Sequence, residues 1–370
     1  MFTQVLVRYR SFAMTLAIAL SLSAARADVE VSIDVPGGPA RRLLLHLPAN
    51  PGPGPLPLVL GFHGGFGNAE SFRSISALNP TSDARGFAVA YMDAGDGVWG
   101  DYRPGPGSPE ADLAYVRAAL DRLESDFGVD LRRVYATGLS NGGAFCFVLA
   151  AELNDHIAAV APVGHNLTQA FVDQATPGGP MHILQIAGTA DPLMPFNGGV
   201  QGPGDLVLSS LATMEFWCKV NGNGSPTAVP LPNPAADGTF SVRETYAPSI
   251  AGFELERIIV FNGGHTWPGG LQYQPESVIG LTSRDFFAND AIWEFFADKC
   301  NSRGAVLPGD LNCDGLVSVS DIGPFVLALT DPAAYAEQYP SCDLLRADCN
   351  CDGVATVGDI GLFVTALTGT

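Results

Sequence analysis

Short apolar runs that alternate with helical patterns fill the central part of the chain. The runs are LPLVLGFHGG, GFAVAYMDA, RRVYATGLS, IAAVAPVGH, HILQIAGTAD and LERIIVFNGGH, each bounded by glycine or by a turn. Strands that are apolar on both faces belong to a parallel sheet covered by helices on both sides. Segments such as PEADLAYVRAALDRLESDFG, between the runs, have the apolar spacing of helices. The pattern therefore predicts an α/β fold with a mostly parallel sheet, preceded by two strands at VEVSIDV and RRLLLHLPA.

The C-terminal segment has a different pattern, because it repeats itself. DLNCDGLVSVSDIGPFVLALT begins at Asp310, and DCNCDGVATVGDIGLFVTALT begins at Asp348. A duplication this close indicates two copies of one small structural unit. The sequence thus predicts a leader over residues 1–27, an α/β domain over residues 28–307 and a tandem-repeat domain over residues 308–370.

The N-terminus carries a targeting pattern. Arg8 and Arg10 precede the apolar run FAMTLAIALSL, and Ala25-Arg26-Ala27 supplies the small-x-small pattern that signal peptidase cuts. A membrane anchor is the alternative, but a helix needs about 20 apolar residues to cross a bilayer. We therefore expect a secretory signal peptide, a secreted extracellular protein and no membrane span in the mature chain.

Composition and charge agree with an exported globular protein. The 370 residues are 47% hydrophobic and 15% charged, and the formal net charge is −19, or −22 without the three arginines of the leader. Such an excess of negative charge argues against nucleic acids and anionic membrane surfaces as partners.

Seven cysteines fit an oxidising compartment. Cys146 lies in an apolar helical run and is expected to be a buried thiol. Cys218 and Cys300 each follow an aromatic-rich helix, and we expect them to form a disulfide. Four cysteines remain in the C-terminal segment and can pair in three ways: Cys313, Cys342, Cys349 and Cys351.

The stretch YATGLSNGGAF places a serine between glycines where a strand turns into a helix. Gly138-x-Ser140-x-Gly142 in that context predicts a nucleophile elbow, whose turn is too tight for side chains at the two glycines. The alternative is a glycine-rich turn whose serine only caps the helix. A serine hydroxyl becomes nucleophilic when a general base and an orienting carboxylate accompany it.

Candidates for both partners follow in the order that this motif requires. Asp191 comes directly after one predicted strand and His265 after the last one. For Asp191 the alternative is a turn-forming aspartate before proline. The order and the placement predict a catalytic triad of Ser140, Asp191 and His265.

His63 opens HGGFGN after the first buried strand, where this fold places an oxyanion-stabilising amide. We predict an oxyanion hole from Gly64, Gly65 and Asn141, in which each donor contributes roughly 3 kcal/mol to transition-state stabilisation. The aromatic candidates for the substrate pocket are Trp99, Tyr102 and Trp267, with packing in the core as the alternative.

Four segments together resemble one known group of proteins. LGFHGGFGN, YATGLSNGGAF, IAGTADPLMPFNGG and FNGGHTWPG resemble the secreted polyhydroxybutyrate depolymerase and feruloyl esterase group of α/β-hydrolases, over roughly residues 40–300, with GGHTWPGG as the most specific part. The resemblance implies an α/β-hydrolase fold and hydrolysis of carboxylic esters through an acyl-enzyme, with Ser140, Asp191 and His265 as the triad. Its members include carbohydrate esterases that act on plant cell walls.

The expected substrate is therefore an ester-bearing polymer or its fragments: a feruloylated or acetylated xylan, or polyhydroxybutyrate. VWGDYRPGPGSPEAD replaces a cysteine-containing segment of some members, which leaves the acyl group open. Two other functions compete, a serine peptidase of the same fold and a non-catalytic polymer-binding protein.

The repeated segments match an EF-hand-like loop, with oxygen-bearing side chains at positions 1, 3, 5, 9 and 12 and glycine at position 6. Oxygen ligands at alternate positions around a sharp turn indicate a hard cation, and we expect calcium here and no cofactor for catalysis. The predicted ligands are Asp310, Asn312, Asp314, Ser318 and Asp321 in the first loop and Asp348, Asn350, Asp352, Thr356 and Asp359 in the second.

Aspartate at the twelfth position, followed by the apolar helices IGPFVLAL and IGLFVTAL, makes the segment similar to dockerin modules. Those modules attach enzymes to cohesin-bearing scaffolds or surfaces. The resemblance implies a small helical module and a cohesin-like partner. Val319-Ser320 and Val357-Gly358 depart from the polar pair that often marks the partner-binding face, and a long cysteine-bearing linker separates the repeats, so the partner stays open.

Overall fold

The computed structural model describes residues 28–51, 54–105, 107–201, 205–249, 252–301 and 308–368. The predicted signal peptide lies outside these residues. None of the helices described is long and apolar enough for a membrane span. We call residues 28–301 the α/β region and residues 308–368 the repeat region.

Twelve strands are described, and ten of them form one sheet. In chain order the strands are β1 (Val29–Ile33), β2 (Arg41–His46), β3 (Leu56–Phe62), β4 (Ala88–Met92), β5 (Val129–Leu139), β6 (Ala159–Val163), β7 (His182–Gly188), β8 (Gly199–Gln201), β9 (Asp205–Val207), β10 (Pro226–Pro230), β11 (Phe240–Tyr246) and β12 (Leu255–Phe261). The sheet order is β1-β2-β4-β3-β5-β6-β7-β12-β11-β10, and β8 pairs with β9 in a separate hairpin.

The six apolar runs of the sequence are the six adjacent strands β4, β3, β5, β6, β7 and β12, which pair in parallel. Antiparallel strands flank them, β1 and β2 at one edge and β11 and β10 at the other. The prediction of an α/β fold with a mostly parallel sheet is confirmed. The carboxyl ends of the parallel strands meet at one edge, where ligands of such sheets bind.

Helices of the α/β region cover both faces of this sheet. They are α1 (Ala69–Ser76), α2 (Leu78–Arg85), α3 (Pro109–Phe127), α4 (Asn141–Glu152), α5 (Gln169–Gln174), α6 (Ser210–Asn221), α7 (Glu276–Ile279) and α8 (Ala288–Phe296). Three further helices lie in the repeat region: α9 (Ile322–Thr330), α10 (Pro332–Gln338) and α11 (Ile360–Thr368). One apolar cluster packs α3, α4 and α6 against the sheet, and a second packs α1, α2 and α8 against the other face.

Helix α3 shows how local sequence sets these bounds. The Ser108 side chain caps its first turn, Pro109 opens it, and Gly128 ends it at φ +65°. Each residue type suits its position, since proline fixes the first helical φ and glycine adopts the left-handed conformation without a steric cost.

The repeat region has a small core of its own. The rings of Phe325 and Phe363 stack with centroids 3.9 Å apart, and the Tyr335 hydroxyl donates to the Leu311 carbonyl oxygen. The two repeats thus pack their helices against each other. Short 3₁₀ turns, Val319–Asp321, Leu344–Ala347 and Val357–Asp359, connect the loops of the repeat region to its helices.

The disulfides differ from the expected pairing. Cys300 pairs with Cys351 of the repeat region, so the prediction of a Cys218–Cys300 bridge is wrong. A second bridge, Cys313–Cys342, lies inside the repeat region, and Cys146 is a buried thiol as expected. Cys218 is half-buried near the end of α6 and is a free thiol.

Candidate active site

Ser140 occupies a strained turn between β5 and α4. Its backbone has φ +59° and ψ −120°, a conformation that side chains rarely adopt. A Cβ at Gly142 would lie 2.2 Å from the Phe62 carbonyl oxygen, and one at Gly138 would lie 2.6 Å from the Gly142 carbonyl carbon. Both positions therefore require glycine, and the turn holds the serine half-buried at the carboxyl edge of the sheet.

His265 and Asp191 form a hydrogen-bonded pair in the loops after β12 and β7. The His265 Nδ1 atom lies 2.7 Å from Asp191 Oδ2, and each side chain is 2% exposed. The backbone amides of Leu193 and Met194 donate to Asp191 Oδ1 over 2.8 and 2.7 Å. The carboxylate is thus fixed by its own turn, and it holds Nδ1 of the imidazole, which leaves Nε2 for another partner.

Ser140 and His265 line the same open cavity of about 510 Å³. Its walls are largely apolar, with Phe66, Ile75, Leu139, Leu193, Tyr273, Val278 and Ile279 among them. The Tyr273 hydroxyl donates to the His265 carbonyl oxygen, and burial raises the pKa of Tyr273 to about 12, so the phenol stays protonated at neutral pH.

A second cavity of about 270 Å³ is also lined by Ser140. Its lining is more polar and includes Arg103, Gln201, Asn141 and His165. Phe66, 88% exposed, borders both cavities. Ser140 therefore lies where an apolar space and a polar space meet.

The predicted oxyanion segment lies directly against the serine. A Cβ at Gly64 would be 3.5 Å from the Ser140 Cβ, and one at Gly65 would be 3.9 Å from the Asn141 Cβ. His63 supports this segment: the Ala94 amide donates to Nε2 over 3.1 Å, so Nδ1 carries the proton and donates to the Gly64 carbonyl oxygen over 2.7 Å. Burial lowers the pKa of His63, which favours this neutral form.

The Asn141 side chain is anchored to the loop after β4. Its Oδ1 accepts the Trp99 amide over 2.7 Å, and its Nδ2 donates to the Trp99 carbonyl oxygen and to Asp101 Oδ2 over 3.0 and 3.1 Å. These bonds fix the first residue of α4. The backbone next to Ser140 is held rigid as a result.

The aromatic pocket prediction needs correction. Trp99 and Trp267 are completely buried, Trp99 stacked on Phe145 and Trp267 edge-on to Phe72, and their Nε1 atoms donate to the His63 carbonyl oxygen and to Asn289. They pack the core and support the loops of the site. Tyr102 is half-buried, donates to Glu152 and contacts Phe171; it is absent from the lining of both cavities at Ser140.

Gly64, Gly65, Ser140, Asn141 and His265 line the cavities as predicted, but other lining residues were not expected from the sequence. Arg103 is the single basic residue between Arg85 and Arg117, and it pairs with Asp101, with Nη2 to Oδ2 at 2.5 Å. This isolated charge in WGDYRPG is the one signal that could have been used. Phe66 and Tyr273 lie in glycine- and glutamine-rich loops, where nothing in the local pattern separates them from ordinary surface residues.

A second buried histidine, His165, follows β6 and borders the polar cavity. It is 2% exposed, and neither ring nitrogen has a hydrogen-bond partner among the described residues. Burial lowers its pKa to about 3, so the ring is neutral at physiological pH. It therefore lines the polar cavity as a neutral imidazole.

The predicted metal ligands lie in two matching loops of the repeat region. Gly315 and Gly353, at the sixth positions, have φ +88° and +90°. The fifth residue of each loop donates its amide to the first aspartate, Asp314 to Asp310 Oδ1 over 3.1 Å and Asp352 to Asp348 Oδ1 over 3.0 Å. The other predicted ligands are half-buried or exposed: Asn312, Ser318, Asn350 and Thr356.

The last aspartate of each loop, Asp321 or Asp359, is completely buried. Both accept backbone amides, including Ser318 N–H at 2.9 Å and Thr356 N–H at 2.7 Å. A buried carboxylate is costly unless another charge or a metal compensates it, and these oxygen donors are the type that calcium prefers. The donor chemistry fits calcium, while no group of three or more His, Cys, Asp and Glu side chains forms a metal cluster among the described residues. Calcium binding stays a prediction.

Comparison with known proteins finds relatives of the α/β region. NocK of Nocardia uniformis subsp. tsuyamanensis, which is named as an esterase, is 36% identical over 266 residues, covering 67% of this chain and 75% of that protein. Feruloyl esterase B of Piromyces equi is 30% identical over 216 residues, 56% of this chain and 39% of that protein. Feruloyl esterase C of Emericella nidulans is 28% identical over 243 residues, 65% of this chain and 77% of that protein. No family model matches the chain.

Proposed function

This chain belongs to the esterase family that includes NocK, and from that premise we propose that Ser140, Asp191 and His265 are its catalytic triad. The protein is a serine carboxylesterase, a carboxylic ester hydrolase. The observation that carries the triad is the 2.7 Å bond between His265 and Asp191 beside a cavity that both His265 and Ser140 line. The strained conformation of Ser140 supports the same assignment.

The proposed reaction has two halves. Ser140 Oγ transfers its proton to His265 Nε2 as it attacks the ester carbonyl carbon, and backbone amides of the Gly64-Gly65 segment and Asn141 stabilise the oxyanion. The imidazolium then gives that proton to the departing alcohol, which leaves an acyl-enzyme. Water, deprotonated by His265, attacks the acyl-enzyme and releases the acid and Ser140. Asp191 keeps the imidazole oriented and stabilises its charged form.

The two cavities suggest which part of the ester binds where. The apolar cavity of about 510 Å³ offers Phe66, Leu193 and Tyr273 to an acyl group, and it has room for one much larger than acetate. The polar cavity offers Arg103 and Gln201 to the hydroxyl groups of an alcohol. We therefore favour an aromatic acyl group on a sugar, as in feruloylated xylan, over an acetylated xylan or polyhydroxybutyrate. Two relatives are named as feruloyl esterases, which supports a feruloyl group as one acyl group of the substrate.

The rest of the chain is proposed to serve delivery and attachment. Residues 1–27 fit a secretory signal peptide. The two loops of the repeat region fit calcium ions in a dockerin-like module. The proposed triad itself needs no cofactor. Val319 and Val357 are 81% and 78% exposed at equivalent positions of the two repeats. An exposed apolar residue at each loop exit suits a protein partner of the cohesin type.

A rate comparison tests the substrate. The purified chain is incubated with feruloylated arabinoxylan, acetylated xylan and polyhydroxybutyrate, and the released acid is quantified. We expect the highest kcat/KM for feruloylated arabinoxylan. A higher value for acetylated xylan would show that the apolar cavity is not the acyl site.

Two variants assign the cavities. Leu193→Asp should raise KM for methyl ferulate more than for p-nitrophenyl acetate, because it places a charge in the proposed acyl site. Gln201→Ala, on the polar side, should affect feruloylated arabinoxylan more than methyl ferulate. The reverse pattern would mean that acyl group and alcohol bind the other way round.

A further inference from the structure

Each loop of the repeat region has its first aspartate paired with an arginine, but the two arginines come from different parts of the chain. In the first loop Arg346 Nη1 donates to Asp310 Oδ2 over 2.8 Å, and both residues belong to the repeat region. In the second loop Arg132 Nη2 donates to Asp348 Oδ2 over 2.6 Å, and Arg132 belongs to β5 of the central sheet. The second loop is therefore completed by the α/β region.

Arg133, the next residue of β5, contacts the same loop. Its Nη1 donates to the Asp352 carbonyl oxygen over 2.9 Å, and its Nη2 donates to the Pro55 carbonyl oxygen over 2.7 Å. Arg132 Nη1 also reaches the Leu345 carbonyl oxygen over 3.1 Å. The two guanidinium groups thus hold three groups of the repeat region.

These contacts are buried. Arg132 is 7% exposed, Arg133 5% and Asp348 0%. Asp130 lies beside both arginines, with its Oδ2 2.8 Å from Arg133 Nε and its Oδ1 3.8 Å from Arg132 Nε. A buried charge-assisted hydrogen bond contributes more to stability than a surface one, and losing either partner leaves the other buried and unpaired.

Close approach and a covalent link mark the same interface. A Cβ at Gly353 would lie 2.2 Å from Arg133 Nη2, so glycine at this position lets the arginine reach the loop. The Cys300–Cys351 disulfide joins the end of the α/β region to the residue between Asn350 and Asp352. The second loop is therefore bonded to the α/β region by side chains and by sulfur, whereas the first loop has its arginine from within its own region.

We propose that Arg132 and Arg133 dock the second loop onto the α/β region, and that this docking and a divalent cation in the loop stabilise each other. The proposal rests on the calcium loops proposed above. Asp348 takes part in both docking and cation binding. Its carboxylate accepts hydrogen bonds from the backbone amides of Asp352 and Gly353 within the loop, and it also accepts one from Arg132 of the α/β region. A cation that orders the loop presents Asp348 and the Asp352 carbonyl oxygen to the arginines, and linkage makes the effect reciprocal.

The positive charge of Arg132 repels a cation in the second loop, and this repulsion alone would weaken cation binding there. Asp130 against both guanidinium groups offsets much of this charge. Arg346 makes the corresponding bond to the first aspartate of the first loop, so it is the matched control for loss of an arginine beside a loop. The net prediction is that docking strengthens cation binding at the second loop.

Hydrogen–deuterium exchange of the full oxidised chain tests the linkage, with calcium titrations by isothermal calorimetry beside it. In the wild type, removing calcium with EDTA should speed exchange at residues 129–133 by about tenfold, the effect of losing one charged hydrogen bond. In Arg132→Gln the same residues should exchange as fast as in the EDTA-treated wild type, whether calcium is present or not. Of the two calcium affinities measured by calorimetry, the one that belongs to the second loop should fall. Arg346→Gln should keep the calcium response at residues 129–133.

Controls separate docking from misfolding. Arg132→Gln must hydrolyse p-nitrophenyl butyrate at the wild-type rate, which shows that the α/β region is folded. Arg133→Lys is a second variant, which keeps the positive charge but loses the two-pronged guanidinium group. It should have an intermediate effect on exchange at residues 129–133. Absence of calcium binding by the wild type would overturn the loops and the linkage together. Calcium binding with exchange at residues 129–133 unaffected by EDTA, or a higher affinity in Arg132→Gln, would overturn the linkage alone.

Discussion

Ser140 and Asp348 both lie at tight turns that a folded framework must hold in place, but the two frameworks differ. The turn of Ser140 is enclosed by β3, β5 and α4, whose apolar residues belong to large clusters on both faces of the sheet. The repeat region has six buried apolar residues in its cluster, and four buried aspartates lie in its loops: Asp310, Asp321, Asp348 and Asp359. A large apolar core can fix a strained backbone turn without a ligand, whereas buried carboxylates require compensating charge.

Catalysis and cation binding place different demands on the framework that holds them. Catalysis needs a geometry that exists before substrate arrives, and the α/β region supplies it through its apolar core and through hydrogen bonds within the protein. Cation binding can supply part of the folding free energy of a small module, since the ion binds the folded loop and not the unfolded chain. We therefore expect the two regions to respond differently to mutation and to chelation.

The largest expected effect is on catalysis. Ser140→Ala should lower kcat for p-nitrophenyl butyrate by about 10⁶, because the nucleophile is lost while the oxyanion donors remain. Thermal unfolding of both regions should be unchanged, since the hydroxyl contributes little to the core. Wild-type turnover in this variant would contradict the triad.

The next effect separates the base from its orienting partner. His265→Ala should cost about as much as Ser140→Ala, whereas Asp191→Asn should cost less, about 10⁴. The reason is that Asp191 acts through the 2.7 Å bond to His265 and exchanges no proton with the substrate. Steady-state kinetics on one soluble ester checks the ranking, and equal losses in both variants would argue against it.

Chelation should distinguish the regions directly. EDTA should unfold much of the repeat region, because it would remove the cation that we propose for the buried aspartates, while hydrolysis of p-nitrophenyl butyrate continues. Limited proteolysis and esterase rate are measured in parallel on oxidised and on reduced protein, since the disulfides hold the repeat region together. Loss of small-ester hydrolysis with an intact repeat region would show that calcium serves the α/β region instead.

The smallest effect concerns packing in the repeat region. Phe363→Ala should destabilise that region by about 3 kcal/mol, because it removes a ring that stacks on Phe325 in a small cluster. The melting temperature of the α/β region should change much less, because this substitution affects that region only by weakening its contacts with the repeat region. Calorimetry resolves the two transitions, and an equal shift in both would mean that they unfold as one unit.

Sequence patterns predicted the features that depend on short segments. Six apolar runs became six parallel strands, because a strand buried on both faces leaves a continuous apolar signal. Gly138 and Gly142 predicted the tight turn at Ser140, since no other residue fits there. The order of Asp191 and His265 predicted their pairing, although they are 74 residues apart.

Features that depend on long-range packing were not visible. A tryptophan looks the same in the sequence whether it lines a pocket or packs in a core. Only the fold shows that Trp99 and Trp267 are both buried. The Cys300–Cys351 bridge depends on how the repeat region docks, which spacing along the chain does not encode. For the same reason Arg132 and Arg133 gave no sign in RRVYATG that they contact a loop more than 200 residues away.

Labelling with a fluorophosphonate probe tests the central claim most directly. Such a probe reacts with an activated serine, and mass spectrometry of the digested protein identifies the modified residue. The account predicts one adduct per chain, on Ser140, in the wild type, slow or no labelling in His265→Ala, and none in Ser140→Ala. An unlabelled wild-type protein that hydrolyses p-nitrophenyl butyrate, or an adduct on any other serine, would contradict it.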